Sequence, residues 1–158
     1  MQTVVIYDTK FGNTEKIAQA IARGVGTHGS VRLMDTAEAA QPLAQRPDLV
    51  LIGGPTQKRA MSPALRGFVD ALQPSLQGVP AASFDTRYRG ATLLMGSAAG
   101  EAIKRLRKAG GRLVAPPESF FIGRGGPLER QTLETGELER AEVWGRAVVT
   151  AALEGRPS

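Results

Sequence analysis

Residues Val4 to Ala22 read VVIYDTKFGNTEKIAQAIA. An apolar run, Val4-Val5-Ile6-Tyr7, ends in a polar loop, Asp8-Thr9-Lys10-Phe11-Gly12-Asn13-Thr14, and an amphipathic helical pattern follows at once. A strand, a tight polar loop and a helix place unpaired backbone N–H groups at the helix start. The helix dipole adds partial positive charge there, so the loop is an anion site of the kind that holds phosphate. Gly12 lets the backbone approach the anion, and the Thr9 and Thr14 hydroxyls add donors. The spacing excludes two other phosphate loops. No Gly-x4-Gly-Lys-Ser/Thr follows Ile6, and a Gly-x-Gly-x-x-Gly loop is also absent, since only Gly12 is present. The alternative reading of the same residues is a simple helix start, with Asn13 or Thr14 as the cap.

Further along, Val31 to Met34 reads as a second strand and Ala37 to Arg46 as a helical or irregular segment interrupted by Pro42. Asp48 to Gly54 is a third strand whose unbroken apolar middle suits burial on both faces. Ser62-Pro63 starts a helix that carries Leu65, Phe68, Val69 and Leu72 at helical spacing. Val79 to Phe84 reads as a fourth strand. A helix from Ser97 runs to Gly110-Gly111, with Lys104, Arg105, Arg107 and Lys108 on its polar side. Arg112 to Ala115 and Ser119 to Ile122 look like a fifth strand broken at Pro116-Pro117. A Gly-rich loop, Gly123 to Thr132, leads to a closing helix marked by Leu138, Ala141, Trp144, Val148 and Ala152, with Trp144 expected in the core. Strands and helices in alternation predict one α/β domain, residues 1–158, with a parallel sheet and right-handed crossovers.

Composition narrows the chemistry. The 158 residues include no cysteine, which removes thiol catalysis, disulfides and cysteine-ligated clusters. His28 is the only histidine, and its Gly-rich neighbours predict an exposed, silent turn rather than a catalytic or metal role. The net charge is +5 and the pI about 10.1, which favours an acidic partner. Specific nucleic-acid binding is not expected, because no aromatic residue interleaves with the basic runs. No apolar run has the length of a membrane span, so membrane insertion is not expected either. With Met1 leading straight into the first strand, no signal peptide is expected, and the cytoplasm is the expected location.

The string Thr9-x-x-Gly12-Asn13-Thr14 resembles the phosphate loop of flavodoxins, and Tyr7-Asp8-Thr9-x-x-Gly12-Asn13-Thr14-Glu15-Lys16 is also similar to the flavodoxin domain of flavodiiron proteins. The resemblance implies a flavodoxin-like three-layer sandwich: a five-stranded parallel sheet in the order 2-1-3-4-5 with helices on both faces. It also implies non-covalent FMN and electron transfer between redox partner proteins. The ligand then sits beyond the carboxyl ends of the strands where the winding reverses, a rule for which flavodoxin is itself a type case. Three loops would hold it: Thr9, Lys10, Phe11, Gly12, Asn13 and Thr14 after the first strand; Pro55, Thr56, Gln57, Lys58 and Arg59 after the third; Asp85, Thr86, Arg87 and Tyr88 after the fourth.

Several residues depart from the family pattern. Phe11 stands where members often carry Ser or Thr, and the second loop lacks the aromatic ring that many members stack on the flavin. Tyr88 is the stacking candidate here, with Met61 opposite. Flavodoxins are commonly acidic, whereas Lys58, Arg59, Arg87 and Arg89 all fall in the ring loops of this chain. Cations there would make the second reduction less demanding than in acidic members, and they favour redox partners with acidic docking surfaces. No residue stands out as an acid–base catalyst, and electron transfer needs none, because the cofactor carries the chemistry. Two other classes stay open at this point: a small FMN-dependent quinone or flavin reductase using a nicotinamide donor, and a flavin-free binding module on the same scaffold.

Overall fold

A computed structural model describes residues 1–37, 43–72, 75–90, 96–123 and 131–155. The sheet is built around β1 (Gln2–Tyr7). On one side of β1 lies β2 (Ser30–Asp35), and on the other β3 (Leu49–Pro55) and then β4 (Pro80–Arg87), all parallel. The fifth position is shared by β5 (Arg112–Leu113) and β6 (Glu118–Phe121), which both pair with β4. The strand order is therefore 2-1-3-4-5, as expected, with the fifth strand broken around Pro116-Pro117. β5 ends opposite Ala81 and β6 resumes opposite Phe84, so the chain bulges between them. Proline has no N–H for the ladder, which explains a break at that point.

Alternation along the strands divides the core into two layers. Val5, Leu49, Leu51, Ala82 and Phe84 face α1 (Asn13–Val25) and the closing helix α4 (Glu137–Glu154), where they meet Ile17, Ile21, Val148 and Val149. Val4, Ile6, Val50, Ile52 and Ala81 face α2 (Pro63–Ala71) and α3 (Ala98–Lys108), meeting Leu65, Val69, Ala102 and Leu106. Strands buried on both faces are what the continuous apolar runs required. Trp144 joins the first layer, 6.2 Å from the ring of Phe84 and 6.1 Å from that of Phe120, in edge-to-face contacts.

The helix starts follow local chemistry. Ser62 caps α2 by accepting from the Leu65 N–H at 3.1 Å, with Pro63 as the first helical residue. Ser97 caps α3 by accepting from the Gly100 N–H at 3.0 Å. His28 lies exposed in a short 3-10 turn, as its neighbours suggested. No described helix is long and apolar enough to cross a membrane.

One boundary needs correction. β4 runs on to Arg87, so Asp85, Thr86 and Arg87 are strand residues and not loop. They are held on both sides: Asp85 pairs with Gly54 and Ser119, Thr86 with Pro55 and Phe120. Two-sided pairing overrides the turn-like character of Asp-Thr-Arg. Much of the segment expected between Ala37 and Arg46 and most of the Gly123–Thr132 loop lie outside the described residues.

Candidate functional site

The carboxyl ends of β1, β3 and β4 open into a cleft of about 260 Å³. Its walls include Thr9, Lys10, Phe11, Asn13 and Thr14 from the first loop and helix start. Pro55, which the sequence placed in the second loop, is the last residue of β3; Thr56, Gln57 and Lys58 come from that loop, and Thr86, Arg87 and Tyr88 from the third segment. Two further residues, Ile122 and Gln131, complete it from the far side of β6. Sequence reasoning missed these two. Ile122 reads as the end of the fifth strand, and Gln131, in the Gly-rich loop, has no local pattern that places it.

The first loop is shaped by Gly12, which sits at φ 86° as the cap of α1. Neither Asn13 nor Thr14 caps the helix. The Asn13 side chain donates to the Gln131 carbonyl at 2.9 Å, and the Thr14 hydroxyl lies 2.8 Å from that of Thr86 in a buried pair. The Gly12 N–H donates to Thr9 Oγ1 at 3.0 Å, closing the loop on itself. No described residue accepts from the N–H groups of Asn13 and Thr14, which belong to the first turn of α1. Two unpaired N–H groups on a helix start, the Thr9 hydroxyl and the Lys10 ammonium make a donor set suited to a phosphate dianion. Pro55, Tyr88 and Ile122 give the cleft apolar flanks suited to a flat ring. The residues present fit FMN.

The second loop folds back in a tight turn. Gln57 and Ala60 exchange two backbone hydrogen bonds of 2.9 Å, and Lys58 and Arg59 both take positive φ, 46° and 71°. Two successive residues at positive φ define a type I′ turn, which non-glycine residues hold only when their surroundings enforce it. Here the enforcement comes from Glu101, whose carboxylate accepts from the Met61 N–H at 3.0 Å and from Arg66 Nε at 2.8 Å. Beneath the turn, the fully buried Asp85 accepts from the Thr56 hydroxyl, the Ser97 hydroxyl and the Ala99 N–H. Thr56 in turn accepts from the Ala98 N–H. Asp85 thus ties the second loop to the start of α3.

Three of the fifteen expected site residues are therefore off the cleft wall. Asp85 faces α3, because strand alternation turns it away from Thr86. Arg59 is exposed at the far corner of the turn. Gly12 acts through its backbone angle. Met61, expected over the flavin, is 2% exposed in the core layer under α2. Arg89 is committed elsewhere: it pairs with Glu134 at 2.8 Å and lies 4.2 Å from the Phe121 ring centre.

Burial works against the charged forms of Glu101 and Glu137 but is outweighed. Arg66, the Met61 N–H and Arg105 hold Glu101 below the usual carboxylate range. Arg140 and the Phe121 N–H do the same for Glu137. A depressed carboxylate adds stability above its unfolded pKa, about 4.3, and loses it as pH falls through the lower folded value. The urea midpoint is therefore expected to fall as pH drops below about 4, and a Glu101→Gln, Glu137→Gln double variant to lose less over that window. Equal acid sensitivity in the double variant would assign the loss to other carboxylates.

Residues 4–112 match the model of a family described as Flavodoxin domain, and the chain belongs to that family. Solved structures of the same fold include a flavodoxin from the domain Archaea, with a TM-score of 0.77 at 17% identity, covering 97% of this chain and 99% of that one. Oxidised Flavodoxin 1 from Bacillus cereus gives 0.78 at 20% identity over 95% and 98% of the two chains. The flavodiiron protein from Giardia intestinalis gives 0.73 at 16% identity, with 97% of this chain matching 36% of that one. A comparison with curated proteins returned no match. Family membership points to a flavin cofactor and a flavodoxin-type role.

Proposed function

We propose that the chain binds FMN non-covalently and carries electrons between redox partner proteins, working in the cytoplasm. The observation that carries this reading is the pair of unpaired N–H groups of Asn13 and Thr14 at the floor of a cleft with apolar flanks. When bound, FMN supplies the one- and two-electron redox chemistry. The chain's own residues bind and orient it. The start of α1, with Thr9 and Lys10, takes the phosphate, while Tyr88 and the turn around Lys58 flank the ring. Among the described residues, Lys58 and Arg59 have no carboxylate within ion-pair range, and both lie exposed on the second loop, beside the cleft. Unpaired cations at that place support a partner with an acidic face.

The test is an FMN titration of the flavin-free protein, followed by removal of excess flavin and an absorption spectrum. Wild type is expected to retain FMN. Gly12→Val is expected to lose it by about a hundredfold or more in affinity, because a β-branched residue resists φ 86° and re-aims the N–H groups. Riboflavin, which lacks the phosphate, is expected to distinguish the two proteins far less. A folded wild type that retains no flavin would leave a binding module as the better reading. Oxidation of NADPH by the FMN-loaded protein alone would point to a reductase.

A further inference from the structure

We infer that the chain on either side of the Gly-rich loop forms a fourth wall of the FMN site, latched to the phosphate loop by Asn13, with Gln131 as a cofactor-contacting residue. This rests on the FMN reading. Beyond β6 the chain leaves the sheet and comes back beside itself: Ile122 and Leu133 form an antiparallel bridge. The Gly123 N–H donates to the Thr132 carbonyl at 2.8 Å, and the Glu134 N–H to the Phe121 carbonyl at 2.9 Å. This paired stem is pinned at two places. On one side Asn13, itself 5% exposed, donates to the Gln131 carbonyl at 2.9 Å across 118 residues of sequence. On the other, Glu134 accepts from Arg89, just beyond the end of β4, at 2.8 Å.

The consequence is positional. The two pins fall on the first and third cofactor segments, and the stem residues Ile122 and Gln131 line the cleft between them. Asn13 is also the first residue of α1, so its backbone N–H serves the phosphate while its side chain holds the stem. One residue thereby couples phosphate capture to the far wall. A phosphate-binding helix start needs only a free backbone N–H at this position, so a long-range side-chain bond from it is an addition to the phosphate site, not part of it. A part-buried amide hydrogen bond holds such a wall more firmly than a surface ion pair does.

Three measurements on the full chain test this. Asn13→Ala keeps the backbone N–H and removes the latch. It is expected to weaken FMN binding about tenfold, measured by quenching of flavin fluorescence. Gln131→Ala keeps the latch, which uses the main-chain carbonyl, and truncates the side chain of this cleft-lining residue. It is expected to weaken FMN by about fivefold. In wild type, added FMN is expected to slow hydrogen exchange at the Gly123 and Glu134 amides, which lie in the stem, and in Asn13→Ala this protection is expected to be lost. Unchanged exchange in FMN-saturated wild type overturns the inference. So does a Gln131→Ala affinity within about twofold of wild type, even where Asn13→Ala fails to fold. Absence of FMN binding by wild type is a different result, and it overturns the parent reading.

Discussion

Gly24→Ala is expected to destabilise the protein by about 2–4 kcal/mol, although alanine is the better helix former by about 1 kcal/mol. α1 and α4 cross with their backbones in close approach. A Cβ placed at Gly24 would lie 2.1 Å from the Glu142 carbonyl oxygen, and one at Gly145 would lie 2.6 Å from the Ile21 carbonyl oxygen. The two glycines therefore open reciprocal notches, each filled by the other helix's main chain. A side-chain tip can swing aside, but these carbonyls are fixed within their helices, so the methyl group can be accommodated only by moving one helix against the other. That movement loosens the layer formed by Ile17, Ile21, Val148 and Val149. For a chain of this size the loss corresponds to a fall in Tm of roughly 5–15 °C. Gly67→Ala is the matched control. Gly67 is exposed within α2, and nothing lies within 4 Å of a Cβ added there. This variant is expected to gain about 0.5–1 kcal/mol. Thermal and urea unfolding followed by circular dichroism separate the two cases, and a Gly24→Ala protein as stable as Gly67→Ala would contradict the close crossing.

The sequence carries the fold well because its signals are local and repeated. Runs such as Val50-Leu51-Ile52 reveal strands buried on both faces, and Ser62-Pro63 marks a helix start without help from anything distant. The phosphate loop is legible for the same reason: strand, Gly12 and helix follow one another within a dozen residues. Most of the misreadings involve long-range partners. Asp85-Thr86-Arg87 has turn chemistry, and only Gly54, Pro55 and the residues of β6 on either side make it strand. Arg89 counted as a ring-loop cation until Glu134, 45 residues later, took its charge. Met61 sits in a polar loop by neighbourhood, yet it packs inward with Leu65 and Val69. Gln131 and Ile122 reach the cleft through a stem whose pairing has no marker in the local sequence. Gly24, near the end of α1, has no local mark of its role, which depends on a helix more than a hundred residues away.

Arg87→Gln is expected to make the second one-electron reduction of the FMN-loaded protein more demanding, lowering its potential by on the order of 100 mV. Of the four basic residues that the sequence placed around the ring, the structure separates one from the rest. Arg89 is neutralised by Glu134, Arg59 stands off the cleft, and Lys58 is exposed to water. The Arg87 side chain is only 10% exposed and lines the cleft. Its Nε donates to the Ser119 hydroxyl at 3.0 Å and its Nη1 to the Gly90 carbonyl at 3.2 Å, while the Phe121 ring centre lies 5.5 Å away. A guanidinium held this way is pre-oriented and poorly screened, so its field acts on an anion formed in the cleft without the averaging that water imposes on Lys58. A unit charge at ~6 Å and an effective dielectric of ~20 contributes roughly 2–3 kcal/mol. The neighbouring Asp85, 3.9 Å from Arg87 through Oδ1, opposes that field in part. Oδ1 has no hydrogen-bond partner, so the carboxylate is turned toward the cation without being fully engaged by it. Removing Arg87 therefore withdraws a positive field and exposes a negative one, and both changes disfavour a reduced anionic cofactor. Spectroelectrochemical titration of wild type, Arg87→Gln and Lys58→Gln checks the ordering. The Lys58 variant is expected to shift little, and less still at high salt, because an exposed charge is screened over a Debye length of ~8–10 Å. A potential unchanged or raised in Arg87→Gln would mean that this side chain's charge is spent on Ser119, Gly90 and Asp85, and does not reach the cofactor.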